Sequence, residues 1–229
     1  MTQGHRVIAV TGGFGVLGLA VAEALGRGGA TVALIDRAAP PAAPPPGVLI
    51  AGGVDLAEGG QARAVMARIA QEAGRLDGLV NVAGGFTWER LEDGALETWD
   101  AMFRINLRSA VAACQAALRH LPAGGGGRIV NVGAMGATRA AAGMGAYAAA
   151  KAGVARLTEA LAEECRERGI TVNAVLPGII DTPRNRRELP EADVGRWVAP
   201  AAVADVIDFL LSDAARAVSG ALIPVTGGT

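Results

Sequence analysis

Seven short apolar runs, separated by helical segments, constrain this chain more than any other feature. They are RVIAV at 6–10, TVALID at 31–36, a run inside VLIAGGVDL at 48–56, LDGLVNVAG at 76–84, RIVNVG at 128–133, ITVNAVLPG at 170–178 and ALIPV at 221–225. Their continuous Val/Ile/Leu/Ala character is that of strands buried on both faces. Helical spacing fills the intervals at 16–27, 58–74, 93–99, 100–120, 145–168 and 200–212. This alternation predicts an α/β, doubly wound parallel sheet with its ligand site at the carboxyl ends of the strands. A chain of 229 residues accommodates one such domain over 1–229. The proline-rich APPAAPPPG at 39–47 stands where a second crossover helix is expected and reads as an extended connector. AGGGG at 123–127 reads as a flexible joint before a strand.

Composition then narrows the function. Half of the chain is apolar, enough for a sizeable core, and the net charge of −1 offers no footprint for nucleic acid or an anionic membrane. Charges and glycines interrupt every apolar run before it reaches the length of a membrane span. MTQGHR leads directly into the first strand, which predicts no signal peptide. Cys114 and Cys165 lack metal-ligand spacing, so free thiols in a reducing cytosol, a cytoplasmic location and no metal site are expected. The basic residues are twenty arginines and one lysine, Lys151; there is also one tyrosine, Tyr147.

TGGFGVLG at 11–18 joins the first strand to the first helix. Glycines at such a turn let the backbone approach a pyrophosphate at a helix N-terminus. Gly13, Gly15 and Gly18 satisfy G-x-G-x-x-G, and Gly12, Gly15 and Gly18 form a second possible set. Gly12, Gly15, Leu17 and Gly18 are the expected cofactor contacts. Asp36 ends the second strand, eighteen residues beyond Gly18. A carboxylate there accepts from both ribose hydroxyls and repels a 2′-phosphate, which predicts NAD(H) in preference to NADP(H). Arg37 follows it, and a guanidinium that can pair with a 2′-phosphate keeps NADP(H) open.

YAAAK places Tyr147 and Lys151 one helical turn apart on one face. A nearby ammonium stabilises tyrosinate, which predicts a phenol pKa lowered toward working pH and a group able to give or take a proton.

With these motifs in place, the chain resembles the short-chain dehydrogenases/reductases along nearly its whole length, and so a Rossmann-type sheet. The matching elements are the loop 11–18, Asp36, VD at 54–55, NVAG at 81–84, Asn106 in INLRS, Tyr147 with Lys151, PGIIDTP at 177–183 and the closing SGALIPVTGG. The resemblance implies that Asp55 lies by the adenine and that Asn81, Ala83 and Gly84 line the adenosine side. It implies that Asn106 holds a water on the proton path to Lys151, and that Lys151 also holds the nicotinamide ribose. Pro177, Gly178 and Thr182 would border the nicotinamide, with Thr182 on its carboxamide. It further implies a homodimer or homotetramer, assembled through the alanine-rich helices at 100–120 and 145–168.

Two departures refine the resemblance. Val16 stands where ordinary members carry glycine, and Ala134 stands where they carry the active-site serine, thirteen residues before the tyrosine. Between 133 and 146 the one remaining hydroxyl is Thr138. Both departures are similar to the dihydropteridine reductases, which also share AGG before an aromatic segment (AGGFTW, 83–88) and a segment like DTPRNRRELPEADVGRW at 181–197. That resemblance implies NADH-dependent reduction of a quinonoid dihydropterin, with a substrate-side segment at about 179–198. Phe86, Trp88, Met135, Met144 and Trp197, around Ala134, could form a flat apolar slot. The expected reaction is hydride transfer between nicotinamide and a planar carbonyl, imine or quinonoid small molecule. The alternatives are a general carbonyl/alcohol oxidoreductase and a non-catalytic dinucleotide-binding regulator.

Overall fold

The computed structural model describes residues 6–43, 46–122 and 124–227. Outside them lie most of the MTQGHR leader, the centre of the proline connector, Ala123 of the glycine run and the end of the closing motif.

The seven strands are β1 (Val7–Thr11), β2 (Thr31–Ile35), β3 (Val48–Ala51), β4 (Gly78–Asn81), β5 (Arg128–Val132), β6 (Thr171–Pro177) and β7 (Leu222–Val225). They form one sheet in the order β3-β2-β1-β4-β5-β6-β7, parallel throughout. The helices are α1 (Val16–Arg27), α2 (Gly59–Glu72), α3 (Leu96–Phe103), α4 (Ser109–Ala117), α5 (Gly145–Glu164), α6 (Pro183–Glu188) and α7 (Pro200–Leu211). Successive residues of β1 face opposite ways. Val7 and Ala9 join the core that Val65, Met66 and Ile69 of α2 and Ala113 of α4 complete. Ile8 and Val10 join the other core, with Val21 and Leu25 of α1 and Val203 and Ile207 of α7. Every β1 residue is therefore buried, which is why the run shows no polar alternation.

The switch point falls between β1 and β4, where strand order reverses. Thr11 pairs with Asn81 there, and the Thr11 hydroxyl accepts from the Ala83 N–H at 3.1 Å. The proline connector forms no helix among its described residues. The residues that lead into it run beside 51–54: Asp36 N–H bonds the Ala51 carbonyl at 3.0 Å, and Val54 N–H bonds the Asp36 carbonyl at 2.9 Å. That pairing brings Asp36 and Asp55 to one end of the cleft.

Three expectations change. The helices expected at 93–99 and 100–120 are one helical path over 96–117, interrupted by a π-helical turn at Arg104–Arg108. The Ser109 N–H reaches back five residues to the Arg104 carbonyl, and the Ser109 hydroxyl takes the Ile105 carbonyl at 2.6 Å. Helix α5 stops at Glu164, and a 3-10 turn at Arg166–Arg168 ends on Gly169 in the left-handed region. Finally, Gly124 is tied down rather than a free joint, its N–H bonding the Arg168 carbonyl at 3.1 Å.

Candidate functional site

A cleft of about 790 Å³ opens at the switch point, between the glycine loop, the ends of β2 and β4, the π turn and α6. Its geometry decides between the two glycine sets. Gly12 has φ +61°, and a Cβ there would lie 2.8 Å from the Ala83 nitrogen. A Cβ on Gly18 would lie 2.3 Å from the Gly12 carbonyl oxygen. Both positions exclude any side chain. Gly13 is a packing glycine: a Cβ there would lie 2.7 Å from the Leu34 side chain, and the residue does not line the cleft. Gly15 has room for a Cβ, whose nearest neighbour would be the Gly12 oxygen at 3.4 Å. Its missing side chain therefore serves the cleft rather than the fold. Gly12, Gly15 and Gly18 line the cleft, Gly15 caps α1, and Leu17 lines the cleft from the first turn. This cradle at a helix N-terminus fits a dinucleotide.

The end of the cleft expected to take the adenosine is built from acids held by the backbone. The two Asp36 oxygens accept from the Phe14 N–H and the Ala38 N–H, both at 3.0 Å. Each oxygen keeps a further acceptor site. Asp55 accepts from the Ala57 N–H at 3.0 Å and from Arg104 at 2.7 Å. Burial opposes its charge, but the Ala57 N–H and the Arg104 guanidinium prevail and hold the carboxyl below its ordinary value. Arg104 also reaches Glu58 at 2.8 Å. This arginine had no local signal, because its partners lie 49 and 46 residues away.

Val82, Ala83 and Gly84 line the cleft, whereas Asn81 does not. As the last residue of β4, it points into the sheet interior. Its amide donates to Asn131 Oδ1 at 2.9 Å and lies 3.2 Å from the Cys114 sulfur. Asn131 in turn donates to the Thr158 hydroxyl at 2.9 Å, so the expected cofactor contact is a tie across β4, β5 and α5. Cys114 and Cys165 are buried and unbridged. Burial pushes the Cys114 thiol up to about 12, which leaves it inert. No cluster of metal-ligating side chains occurs among the described residues.

Asn106 sits within the π turn, and both ends of its amide are engaged. Oδ1 accepts from the Gly85 N–H at 3.1 Å, while Nδ2 donates to the Gly85 and Met102 carbonyls at 3.0 Å each. The side chain thus clamps the segment leaving β4. A Cβ at Gly84 would lie 2.6 Å from Asn106 Oδ1 and 3.3 Å from Lys151 Nζ, so only glycine lets these two groups approach.

Lys151 is buried in α5, and its ammonium donates to the Val132 carbonyl at 2.7 Å. Burial lowers its pKa to about 8. Tyr147 lies one turn earlier and packs edge-to-face on Phe86, with centroids 5.0 Å apart at 85°. Burial raises the phenol to about 12, the reverse of the lowering expected from a nearby ammonium. Desolvation of the phenolate governs here, and the ammonium is directed at Val132.

Ala134 is buried and extended at the end of β5. The Thr138 hydroxyl is spent on the Met135 carbonyl at 2.7 Å, inside a 3-10 turn. Met144 lies against Gly136, its methyl 2.7 Å from where a Cβ would stand, which places Met135 and Met144 in one turn region. Trp88 is half exposed and donates to the Ala142 carbonyl at 3.0 Å, and the Glu89 N–H bonds the Gly143 carbonyl at 2.9 Å. Gly143 has φ +77°, and a Cβ there would enter the Trp88 ring at 2.3 Å. These contacts bring the Phe86–Trp88 segment to the tyrosine and its preceding loop. Trp197 is not part of that group: it is buried next to the isolated bridge Ile180–Val198. Gly178 lies beside Thr226 and Val198, with the Gly178 N–H on the Val225 carbonyl, and Pro177 ends β6. Thr182 lines the cleft and caps α6, its oxygen accepting from the Asn185 N–H at 3.1 Å. Its hydroxyl hydrogen stays available as a donor. Helix α6 itself was not foreseen. Its arginines 184 and 187 line the cleft, and the run RNRR was the available signal.

Residues 6–193 match the family described as short chain dehydrogenase. The chain is 37% identical to the 3-oxoacyl-(acyl-carrier-protein) reductase FabG of Pseudomonas aeruginosa, over 100% of this chain and 98% of that protein. It is 34% identical to the 2-(S)-hydroxypropyl-CoM dehydrogenase 3 of Xanthobacter autotrophicus, over 98% and 96% of the two chains. A short chain dehydrogenase from Burkholderia cenocepacia J2315, solved in complex with NADP, superposes with a TM-score of 0.84 at 33% identity, covering 99% of this chain and 98% of that one. Sequence, sheet order and site together place this chain in the short-chain dehydrogenase/reductase family of oxidoreductases.

Proposed function

We propose that this chain is an NADH-preferring reductase of a planar, conjugated small molecule: a carbonyl, an imine or a quinonoid ring such as a quinonoid dihydropterin. The observation that carries this reading is the supply of hydroxyl donors. With alanine at 134 and the Thr138 hydroxyl bonded to Met135, the segment 134–146 leaves no serine or threonine hydroxyl to join Tyr147 at the acceptor atom. An isolated ketone concentrates its developing charge on one oxygen and profits from two donors. A conjugated ring spreads that charge, and one donor suffices.

The nicotinamide, when bound, supplies the hydride. Tyr147 supplies the proton, and its raised pKa keeps it in the donor form at neutral pH. Lys151 is still largely cationic at pH 7 and stands ready for the ribose hydroxyls. Asn106 fixes the segment 84–86, which carries Phe86 onto the Tyr147 ring. Both Asn106 Nδ2 hydrogens are donated, so a water there would be held by the second acceptor site of Oδ1 or by the main chain. Asp36 supports NADH through its remaining acceptor sites. Arg37, also on the cleft wall, is the feature that would serve NADPH.

The test is a screen of NADH and NADPH oxidation against a quinonoid dihydropterin, quinones, diketones and simple ketones. Turnover is expected with conjugated acceptors, faster with NADH. Equal or better turnover of simple ketones would replace this reading by a general carbonyl reductase. Tight NADH binding with no turnover on any acceptor would point to a dinucleotide-binding regulator.

We place the enzyme in the cytoplasm as a homodimer or homotetramer. Leu96, Trp99 and Phe103 of α3 are exposed by 80%, 37% and 53%, and they supply the apolar surface for such an assembly. Light scattering at micromolar concentration should give a dimer or larger; a monomer would refute the assembly. No helix among the described residues is long and apolar enough to cross a membrane.

A further inference from the structure

Four arginines line the cleft: Arg37, Arg104, Arg184 and Arg187. Arg104 is held by Asp55 and Glu58. Arg184 donates to Glu188 at 2.7 Å and to the Phe86 carbonyl at 3.3 Å. Arg37 belongs to the adenosine end, directly after Asp36. Arg187 lines the cleft from α6 and, like Arg37, has no hydrogen-bond or ion-pair partner among the described residues. The glycine loop lines the same cleft with Gly12, Gly15, Val16, Leu17 and Gly18, which offer backbone N–H groups and no cation. The N-terminus of α1 contributes only about half an elementary charge, against two on a pyrophosphate. The one lysine of the chain donates to the Val132 carbonyl and is assigned above to the ribose.

We infer that Arg187 is the counter-ion of the dinucleotide pyrophosphate, holding it from the α6 side while the glycine loop holds it from the other. The inference rests on the dinucleotide-binding reading of the cleft. A guanidinium suits this task because its planar fork gives two parallel charge-assisted hydrogen bonds to phosphate oxygens. Helix α6 is set for it by its own start, where Thr182 caps the first turn and Pro183 follows. Arg186 is turned to Asp181, with contacts of 2.6 and 2.7 Å, and lies off the cleft wall. The same short helix thus carries a built-in comparison of equal charge.

The experiment uses the full chain and reads binding rather than turnover. NADH affinity is measured by fluorescence titration and calorimetry, and ADP-ribose and adenosine by displacement of NADH, for the wild type, R187Q, R187K and R186Q. R187Q should weaken NADH and ADP-ribose by about tenfold or more, and leave adenosine within about twofold. R187K should recover part of the loss, and R186Q should stay within about twofold of wild type. Added salt should narrow the gap between wild type and R187Q. Equal NADH affinity in R187Q and wild type would overturn the assignment. So would an equal loss for adenosine, which marks a distorted cleft, or an equal loss in R186Q, which marks a general charge effect. A wild type that binds no NADH overturns the dinucleotide reading itself, a result distinct from equal binding by wild type and R187Q.

Discussion

Replacing Tyr147 by phenylalanine should leave NADH binding within about twofold and lower kcat by roughly 10²–10⁴-fold, the usual contribution of a positioned general acid. Phenylalanine keeps the ring that packs on Phe86 and removes only the hydroxyl, so the fold and the cleft should persist. Thermal melting and NADH titration would verify that before turnover is measured. Equal turnover in the variant on an identified acceptor would remove Tyr147 from the mechanism. The pH profile carries the same argument further. A phenol near 12 stays protonated across the assayable range, so it cannot cause a fall in reduction below about pH 10. Lys151 is cationic below its pKa and neutral above it, and burial has brought that pKa to about 8. The sign is therefore a loss of charge as pH rises, and kcat/KM for NADH should decline above about pH 8. A profile flat to pH 10 would show that the Lys151 charge is not needed.

Replacing Ala134 by serine should act in the opposite direction, and selectively. The residue lies buried and extended at the end of β5, a conformation that serine adopts without strain. Loss of one oxyanion donor costs roughly 2.7–4 kcal/mol in reactions that depend on it. Restoring a donor here should raise kcat on a simple ketone by up to roughly 10²–10³-fold on the same scale. A quinonoid acceptor should change by much less, because its charge is spread over the ring. The informative number is the ratio of the two gains. An A134S protein that binds NADH normally and gains nothing on any ketone would show that position 134 does not face the reacting atom.

Much of the fold was legible because a parallel sheet buries its strands on both faces and leaves unbroken apolar runs. The glycine loop was legible for a related reason: close backbone approach excludes side chains, and only glycine answers that demand. The tyrosine and lysine could be read because a four-residue spacing on a helix is local geometry. The π turn at Arg104–Arg108 was not readable, since RINLR carries helical propensity and the turn is revealed by where the Ser109 N–H and hydroxyl bond. Asn81 misled because a residue at the end of a strand can face either the cleft or the sheet interior. Its neighbour on β5, Asn131, decides the matter.

The sequence by itself determined the sheet, the loop at its switch point, the acid after β2 and the Tyr147–Lys151 pair. Each of these follows from periodicity or from contacts within one turn. Only the tertiary structure decided which glycines serve the cleft, that Arg104 neutralises Asp55, that Phe86 packs on Tyr147 and that Arg187 faces the cleft unpaired. It also reversed the expected direction of the Tyr147 pKa. The reason is common to all of these: they depend on burial and on partners brought together by folding, and desolvation is a property of the packed site that spacing along the chain does not encode.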